Sequence, residues 1–121
     1  MRPYPGGLAA GTMSAGQIVT AIVGVGLCLE TVHRCGEFVG WLHPRSVSID
    51  PRGRPTVVSS EVPPGWGVPD DVTALLRLGV ALAVNHPPLA RAMRELASEQ
   101  PHSLSGVTQW VLGLARPLPL L

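Results

Sequence analysis

The stretch that decides the fold is residues 39–60, which read VGWLHPRSVSIDPRGRPTVVSS. Two short β-prone runs, 46–50 and 54–58, flank the tripeptide Pro51-Arg52-Gly53, whose residues favour a tight turn. The sequence therefore predicts a β-hairpin here. Strands this short do not make a sheet domain by themselves, so helices on either side have to supply the core.

The segment before the hairpin has the pattern of a buried helix. Ser14 and Gln17 have the spacing of a capping box, in which each side chain accepts from the other residue's backbone N–H. Residues 18–29 are almost uniformly apolar, and Gly36 stands where helices commonly end. Glycines within the apolar run would let another helix cross it closely.

Three more helices are expected after the hairpin. The loop at 61–69 is too rich in Pro and Gly for regular structure, and the acidic pair at 70–71 that follows it suits a helix N-terminus. The expected helical ranges are 70–84, 89–99 and, from a cap at Ser103 or Ser105, to about Arg116.

The predicted fold class is mainly α with one short β-hairpin and about four helices. A chain of 121 residues is long enough to bury roughly two thirds of its unfolded surface in one core. We expect a helical domain at 14–116, between a flexible Pro/Gly-rich arm at 1–13 and an apolar tail at 117–121 that lies against another surface. The arm does not have the pattern of a secretory leader.

Composition restricts the class of partner. The formal net charge is +1 and charged residues make up 14 % of the chain, so no strong field attracts nucleic acid or anionic lipid. We expect no nucleic-acid partner, and composition does not favour a membrane. All basic residues are Arg, which leaves no ammonium group to pair with nucleotide phosphates.

Cys28 and Cys35 are the two cysteines. On one helix their spacing corresponds to ~10 Å along the axis, whereas a disulfide requires Cα atoms within ~7 Å. We expect two reduced thiols on one helical face, which favours a cytoplasmic protein.

The stretch at residues 39–60 also resembles a catalytic loop. In small-molecule kinases, and similarly in protein kinases, this loop runs roughly His-Gly-Asp-Leu-His-Pro-x-Asn and precedes a short hairpin and an Asp-Phe-Gly motif. The residues that match in register are Gly40, Leu42, His43 and Pro44. Three other segments are similar to the C-terminal lobe of that family in the same order, namely 32–36, 71–75 and 98–101.

The departures from the family pattern fall on its chemical residues. Trp41 stands in place of the catalytic Asp and Ser46 in place of the metal-binding Asn. Ser59 and Ser60 stand in place of the first two residues of Asp-Phe-Gly. His43 keeps the place of a loop-holding His. The resemblance therefore implies a truncated, pseudokinase-like C-terminal lobe that is not an enzyme, with no catalytic residue, metal or cofactor.

A kinase-like lobe without its N-terminal partner lobe leaves apolar surface to be covered. The resemblance thus implies an adaptor or regulatory subunit acting by protein–protein interaction, with another protein or a second copy of itself. The candidate contact residues are Trp41 and Trp66, and Arg52 and Arg54 at the hairpin tip. The alternative for the two tryptophans is that they fill the core, and the alternative for the two arginines is that they are solvated charges.

Other interpretations remain open. A small membrane-associated protein that uses the apolar helix 18–29 is one alternative, although residues 17–29, which number 13, are short of the ~20 that span a bilayer. His33, Cys35 and His43 are conceivable metal ligands, against a structural role in hydrogen bonding. His43 with Ser59 as a hydrolytic pair lacks an orienting acid, and residual nucleotide binding is the remaining alternative.

Overall fold

A computed structural model describes residues 8, 11–57, 61–99 and 103–120 of the chain. Its elements within these ranges are α1 Ala15–Arg34, β1 Val47–Ile49, β2 Pro55–Val57, α2 Val68–Leu82, α3 Pro87–Ala97 and α4 Leu104–Leu112. β1 and β2 form an antiparallel hairpin, and a 3-10 turn at Pro44–Ser46 precedes it. The prediction of a mainly α fold with one short hairpin and about four helices is confirmed.

α1 is the central helix, and its start and end follow the sequence signals. The Ser14 side chain accepts from the Gln17 N–H at 3.2 Å, and the Gln17 side chain accepts from the Ser14 N–H at 3.0 Å, as a capping box requires. The helix ends before Gly36, whose φ of 74° is costly for other residues. One face of α1 is buried; its residues are Gly16, Ile18, Val19, Ala21, Ile22, Val25, Gly26 and Leu29.

Helices α2 and α4 and strand β2 pack against α1. At Gly26 an added Cβ would lie 2.6 Å from Thr108 Cγ2 of α4, so the expected close helix crossing is present there. Gly24 instead receives the ring of Pro55 from the hairpin. The prediction of a crossing helix is therefore wrong at Gly24, because the hairpin folds back over that part of α1.

Five helix ends differ from the predicted ones, and two of these are C-terminal ends that come two residues early, at Leu82 of α2 and Ala97 of α3. α2 begins at Val68 and α3 at Pro87, each two residues early, because a proline in the first turn has no N–H to leave unsatisfied. At α2 the Asp70 carboxylate also accepts from the Gly67 N–H at 2.8 Å. α4 ends at Leu112 rather than near Arg116, since Gly113 takes the C-cap position.

The described parts of the predicted arm and tail pack on the domain. Leu8 and Met13 are buried, and the Leu8 N–H donates to the Pro44 carbonyl at 2.9 Å, so the arm is not free at these two positions. The other positions of the arm up to residue 10 lie outside the described residues. In the tail, the Leu118 N–H donates to the Gly16 carbonyl at 3.1 Å and Leu120 is buried, as expected of a segment that lies against another surface.

α1 also bears on the membrane interpretation. With 20 residues it is longer than the apolar run seen in the sequence, because polar residues at both ends join the helix. By length and mean hydropathy, 1.7 over its best window, it meets the requirements for crossing a bilayer. The core helix of a soluble protein meets the same requirements, and α1 buries one face against the rest of the domain.

Both cysteines are free. Cys28 is half-buried and its thiol lies 3.4 Å from the Pro55 carbonyl oxygen. Burial raises the pKa of this thiol. Cys35 is exposed at the C-cap of α1, so the two thiols do not share one buried helical face, contrary to the prediction.

Candidate functional site

The polar centre of the domain is Asp71, whose side chain is completely buried. Its Oδ2 accepts from the Val39 N–H at 3.0 Å and lies 2.7 Å from His33 Nε2. Its Oδ1 accepts from the Gly40 N–H at 3.0 Å and from Trp66 Nε1 at 2.8 Å. Four donors thus meet the roughly four acceptor positions of one carboxylate, which is how a protein tolerates a buried charge.

Secondary structure explains how these groups meet. Asp71 lies in the first turn of α2, where the helix dipole favours a negative charge. His33 comes from the last turn of α1, and the chain then turns so that Val39 and Gly40 present successive N–H groups. Gly40 has a φ of 88°, a conformation that other residues rarely adopt, so glycine is required at this position.

The hydrogen bonds determine the charge state of Asp71. Burial alone would raise the pKa of the carboxyl, but donation from His33, Val39, Trp66 and Gly40 outweighs it and holds the pKa below its ordinary value. Asp71 is therefore ionised at neutral pH. Because a carboxylate only accepts, His33 carries a proton on Nε2.

The hydrogen bonds around Asp71 hold its neighbours in place and do not prepare a side chain for proton transfer. Every oxygen position of Asp71 is used by a donor within the domain, so the carboxylate has no capacity left to take a proton from a substrate. The His33 ring is held by Asp71 and by an edge contact with Phe38 at 5.9 Å between centroids. We interpret this cluster as a clamp that joins the end of α1, the loop at 39–40 and the start of α2.

An aromatic pair, the half-buried Trp66 and the exposed Trp41, adjoins the clamp. Trp41 is 53 % exposed and meets the ring of Trp66 edge to face, with 4.9 Å between centroids. The guanidinium of Arg77, on α2, lies 5.9 Å from the Trp41 ring, within range of a cation–π interaction. The alternative that Trp41 fills the core is wrong, since about half of this side chain is exposed to solvent.

The rest of this loop, through Ser46, is held by local hydrogen bonds. His43 is exposed; its Nδ1 accepts from the Arg45 N–H at 3.2 Å, and its own N–H lies 3.4 Å from Ser46 Oγ. This is the structural role that the sequence left open for His43. Ser59 and Ser60 lie outside the described residues, and so does the proposed pairing of Ser59 with His43.

The hairpin tip is a tight polar turn. The backbone N–H groups of Arg52 and Arg54 both donate to Asp50 Oδ1, at 2.8 and 2.9 Å, and both arginines are exposed. The hydrogen bond from Arg54 outweighs the effect of desolvation and lowers the pKa of the Asp50 carboxyl, with help from Arg52. The turn explains how the two arginines are presented, and their part in partner binding stays a prediction.

The conceivable metal ligands do not converge. His33 is bound to Asp71, His43 bonds within its own turn, and Cys35 is exposed at the end of α1. Among the residues that the structure describes, no group of three or more His, Cys, Asp or Glu side chains is arranged to hold a metal ion.

Sequence reasoning missed the connection between His33 and Asp71 and the position of Arg77 beside Trp41. A signal for the first was present. Asp71 shares the helical spacing of the buried residues Leu75, Leu78 and Leu82, which places it on the inner face of α2. A carboxylate on an inner face requires donors, and a search for them would have considered His33.

Compared with known proteins, the chain matches no family model, no curated protein and no solved structure at a significant level.

Proposed function

We propose that this protein is a non-catalytic, pseudokinase-like adaptor or regulatory subunit, which binds another protein or a second copy of itself through the surface at Trp41 and Trp66. The observation that carries this proposal is the exposed Trp41 ring, held in place by Trp66, whose indole N–H is fixed by the buried Asp71. A large aromatic side chain that is exposed yet rigid loses little conformational entropy on binding, and such residues dominate interface energies.

The proposed relationship to kinases is supported by which segments meet. Of the four segments that carry the resemblance, three are joined at Asp71: 32–36 through His33, the loop through Gly40, and 71–75 through Asp71 itself. Segments far apart in sequence share one buried network, as expected if they belong to a single inherited scaffold. The fourth segment, 98–101, lies partly outside the described residues.

The proposal assigns no enzymatic activity. An indole cannot accept a proton from a substrate, so Trp41 at the position of a catalytic Asp removes the group that orients a nucleophile. Ser46 is a weak metal ligand compared with an amide or carboxylate oxygen. The proposal also places the protein in the cytoplasm, which agrees with the free state of Cys28 and Cys35.

The test is a comparison of two single variants, each lacking one exposed apolar side chain. Trp41→Ala removes the proposed anchor, and Leu112→Ala removes a side chain of similar exposure, 45 %, on α4. Partners captured from an extract of the source cells are quantified for both variants and the wild type, and light scattering gives the mass of each protein in solution. Circular dichroism verifies that the variants fold.

We expect Trp41→Ala to weaken association, with the partner or with a second copy, by about 30-fold, corresponding to the ~2 kcal/mol typical of an interface anchor. Leu112→Ala should leave it unchanged. Equal association of Trp41→Ala and the wild type, in both measurements, would refute the proposed surface.

A small membrane-associated protein is the second candidate, because α1 is long and apolar enough to cross a bilayer. Insertion would have to break the contacts of α1 with α2, α4 and β2, which bury six aliphatic residues to nearly zero exposure. At ~25 cal/mol per Å² of apolar surface, that core is the main stabilising term of the domain. Recovery of the full-length protein in the membrane pellet, released only by detergent, would favour this candidate over the adaptor.

A further inference from the structure

A cavity of about 290 Å³ lies beside the aromatic pair, in the groove between α2 and α3. Arg77 and Val80 line it from α2, at i and i+3, while Arg94, Ala97 and Ser98 line it from α3, at i, i+3 and i+4. Its walls therefore combine two guanidinium groups with a small apolar surface. Cavities with these two properties accommodate ligands that carry both a charge and an apolar portion.

The two arginines are not neutralised within the described residues. The ion pairs there join His33 with Asp71 and Arg34 with Glu30, and neither involves Arg77 or Arg94. No described acidic side chain lines the cavity. The C-terminus of α3, capped by Ser98, contributes about half a negative charge. The cavity thus keeps a net positive charge, which complements an anionic group such as a carboxylate.

Arg77 makes this cavity continuous with the surface at Trp41. The same residue that lines the cavity places its guanidinium 5.9 Å from the Trp41 ring. A bound chain lying along this side of α2 would meet the exposed indole first and the two arginines next. A free small anion would use only the second part of this surface.

We propose that the surface from Trp41 to the α2–α3 cavity binds an acidic peptide segment of a partner protein. A Glu or Asp carboxylate enters the cavity between Arg77 and Arg94, and a neighbouring apolar side chain packs on Trp41. This inference rests on the proposed function and specifies the chemistry of its partner.

A phage-displayed library of random peptides, selected on the wild-type protein, provides the probe. The most enriched peptide is synthesised, and its affinity is measured by titration of the intrinsic tryptophan fluorescence. The variants are the double substitution Arg77→Gln with Arg94→Gln, the control Arg91→Gln, and Trp41→Ala. Arg91 is an exposed arginine of α3 that does not line the cavity, so the control removes one positive charge from the same helix as Arg94.

We expect enriched peptides with an acidic residue next to an apolar one. The double substitution should weaken binding about tenfold, equivalent to ~1.4 kcal/mol, and Arg91→Gln by less than about twofold. Binding by the wild type should also weaken as salt is raised, because exposed charges are screened.

Three results would overturn the inference: no enrichment of acidic peptides, equal losses for the double substitution and Arg91→Gln, or displacement of the peptide by inorganic phosphate well beyond that by chloride at equal ionic strength. The last result would identify a site for a free oxyanion. If Trp41→Ala still weakens association with the captured partner in any of these cases, the proposed function stands and the acidic segment alone is rejected. If it does not, both fall.

Discussion

Replacing the buried carboxylate by its isosteric amide, Asp71→Asn, is the most direct test of the clamp. The amide keeps one oxygen and substitutes an NH₂ group for the other. Either Gly40 N–H and Trp66 Nε1, or Val39 N–H and His33 Nε2, must then face a donor in place of an acceptor. With the NH₂ group at the first pair, both donors lose their partner. With it at the second pair, the His33 imidazole can take the other tautomer and accept at Nε2, so that only the Val39 N–H is left unsatisfied.

The magnitude follows from that count. Leaving a buried donor unsatisfied costs ~1–3 kcal/mol, and the side chain adopts the orientation with one such donor, so the cost is roughly 1–3 kcal/mol plus the weakened hydrogen bonds to a neutral acceptor. Removing the buried charge recovers part of this, and we expect a net loss of about 2 kcal/mol in the free energy of unfolding. The matched control is Asp70→Asn, at the neighbouring and exposed position. The Asn oxygen can still accept from the Gly67 N–H, so the expected loss is below ~1 kcal/mol.

Urea unfolding followed by tryptophan fluorescence measures both variants, and Trp66 reports directly because its indole binds Asp71. The pH dependence adds a second criterion. A carboxyl whose pKa is lowered in the folded state contributes its stability above the unfolded value of ~3.9 and loses it as pH falls through the folded value. The difference between wild type and Asp71→Asn should therefore be full at neutral pH and shrink below about pH 4. A loss at neutral pH no larger than that of Asp70→Asn would refute the clamp.

Two other predictions concern packing and chemistry. Gly24→Ala should destabilise the protein by about 1–3 kcal/mol, because the added Cβ would lie 2.7 Å from Pro55 Cδ, and this outweighs the ~1 kcal/mol by which Ala favours a helix. The control Gly113→Ala, whose Cβ would have its nearest neighbour at 3.4 Å, should be nearly neutral. Equal denaturation midpoints for the two variants would contradict the close packing of the hairpin on α1. Calorimetric titration with ATP and magnesium should give no heat beyond dilution, whereas saturable binding would contradict the loss of nucleotide chemistry inferred from Trp41 and Ser46.

Local sequence signals were sufficient for most of the secondary structure. The capping box at Ser14 and the glycine at position 36 locate α1 closely because both act through bonds within a few residues. The hairpin was equally predictable, since Asp50 closes its turn through two N–H groups of the turn itself. The errors at the starts of α2 and α3 and at the end of α4 arose where prolines and Gly113, rather than the apolar pattern, determined the boundary.

Candidate site residues were predictable only in part. Trp41 was singled out from the sequence because it stands in a loop where the resemblance expects a carboxylate. Its exposure, its contact with Trp66 and the nearby guanidinium of Arg77 could not be predicted, since each depends on how α2 lies against the loop.

The sequence by itself determined the elements of this protein: a capped apolar helix, a short hairpin and three further helices. These depend on interactions between near neighbours, which a sequence displays directly. Only the tertiary structure decided that Asp71 is the shared acceptor for His33, the loop and Trp66, and that Arg77 and Arg94 face one cavity. Those groups are tens of residues apart, and what brings them together is the burial of the apolar face of α1, which is a property of the whole chain.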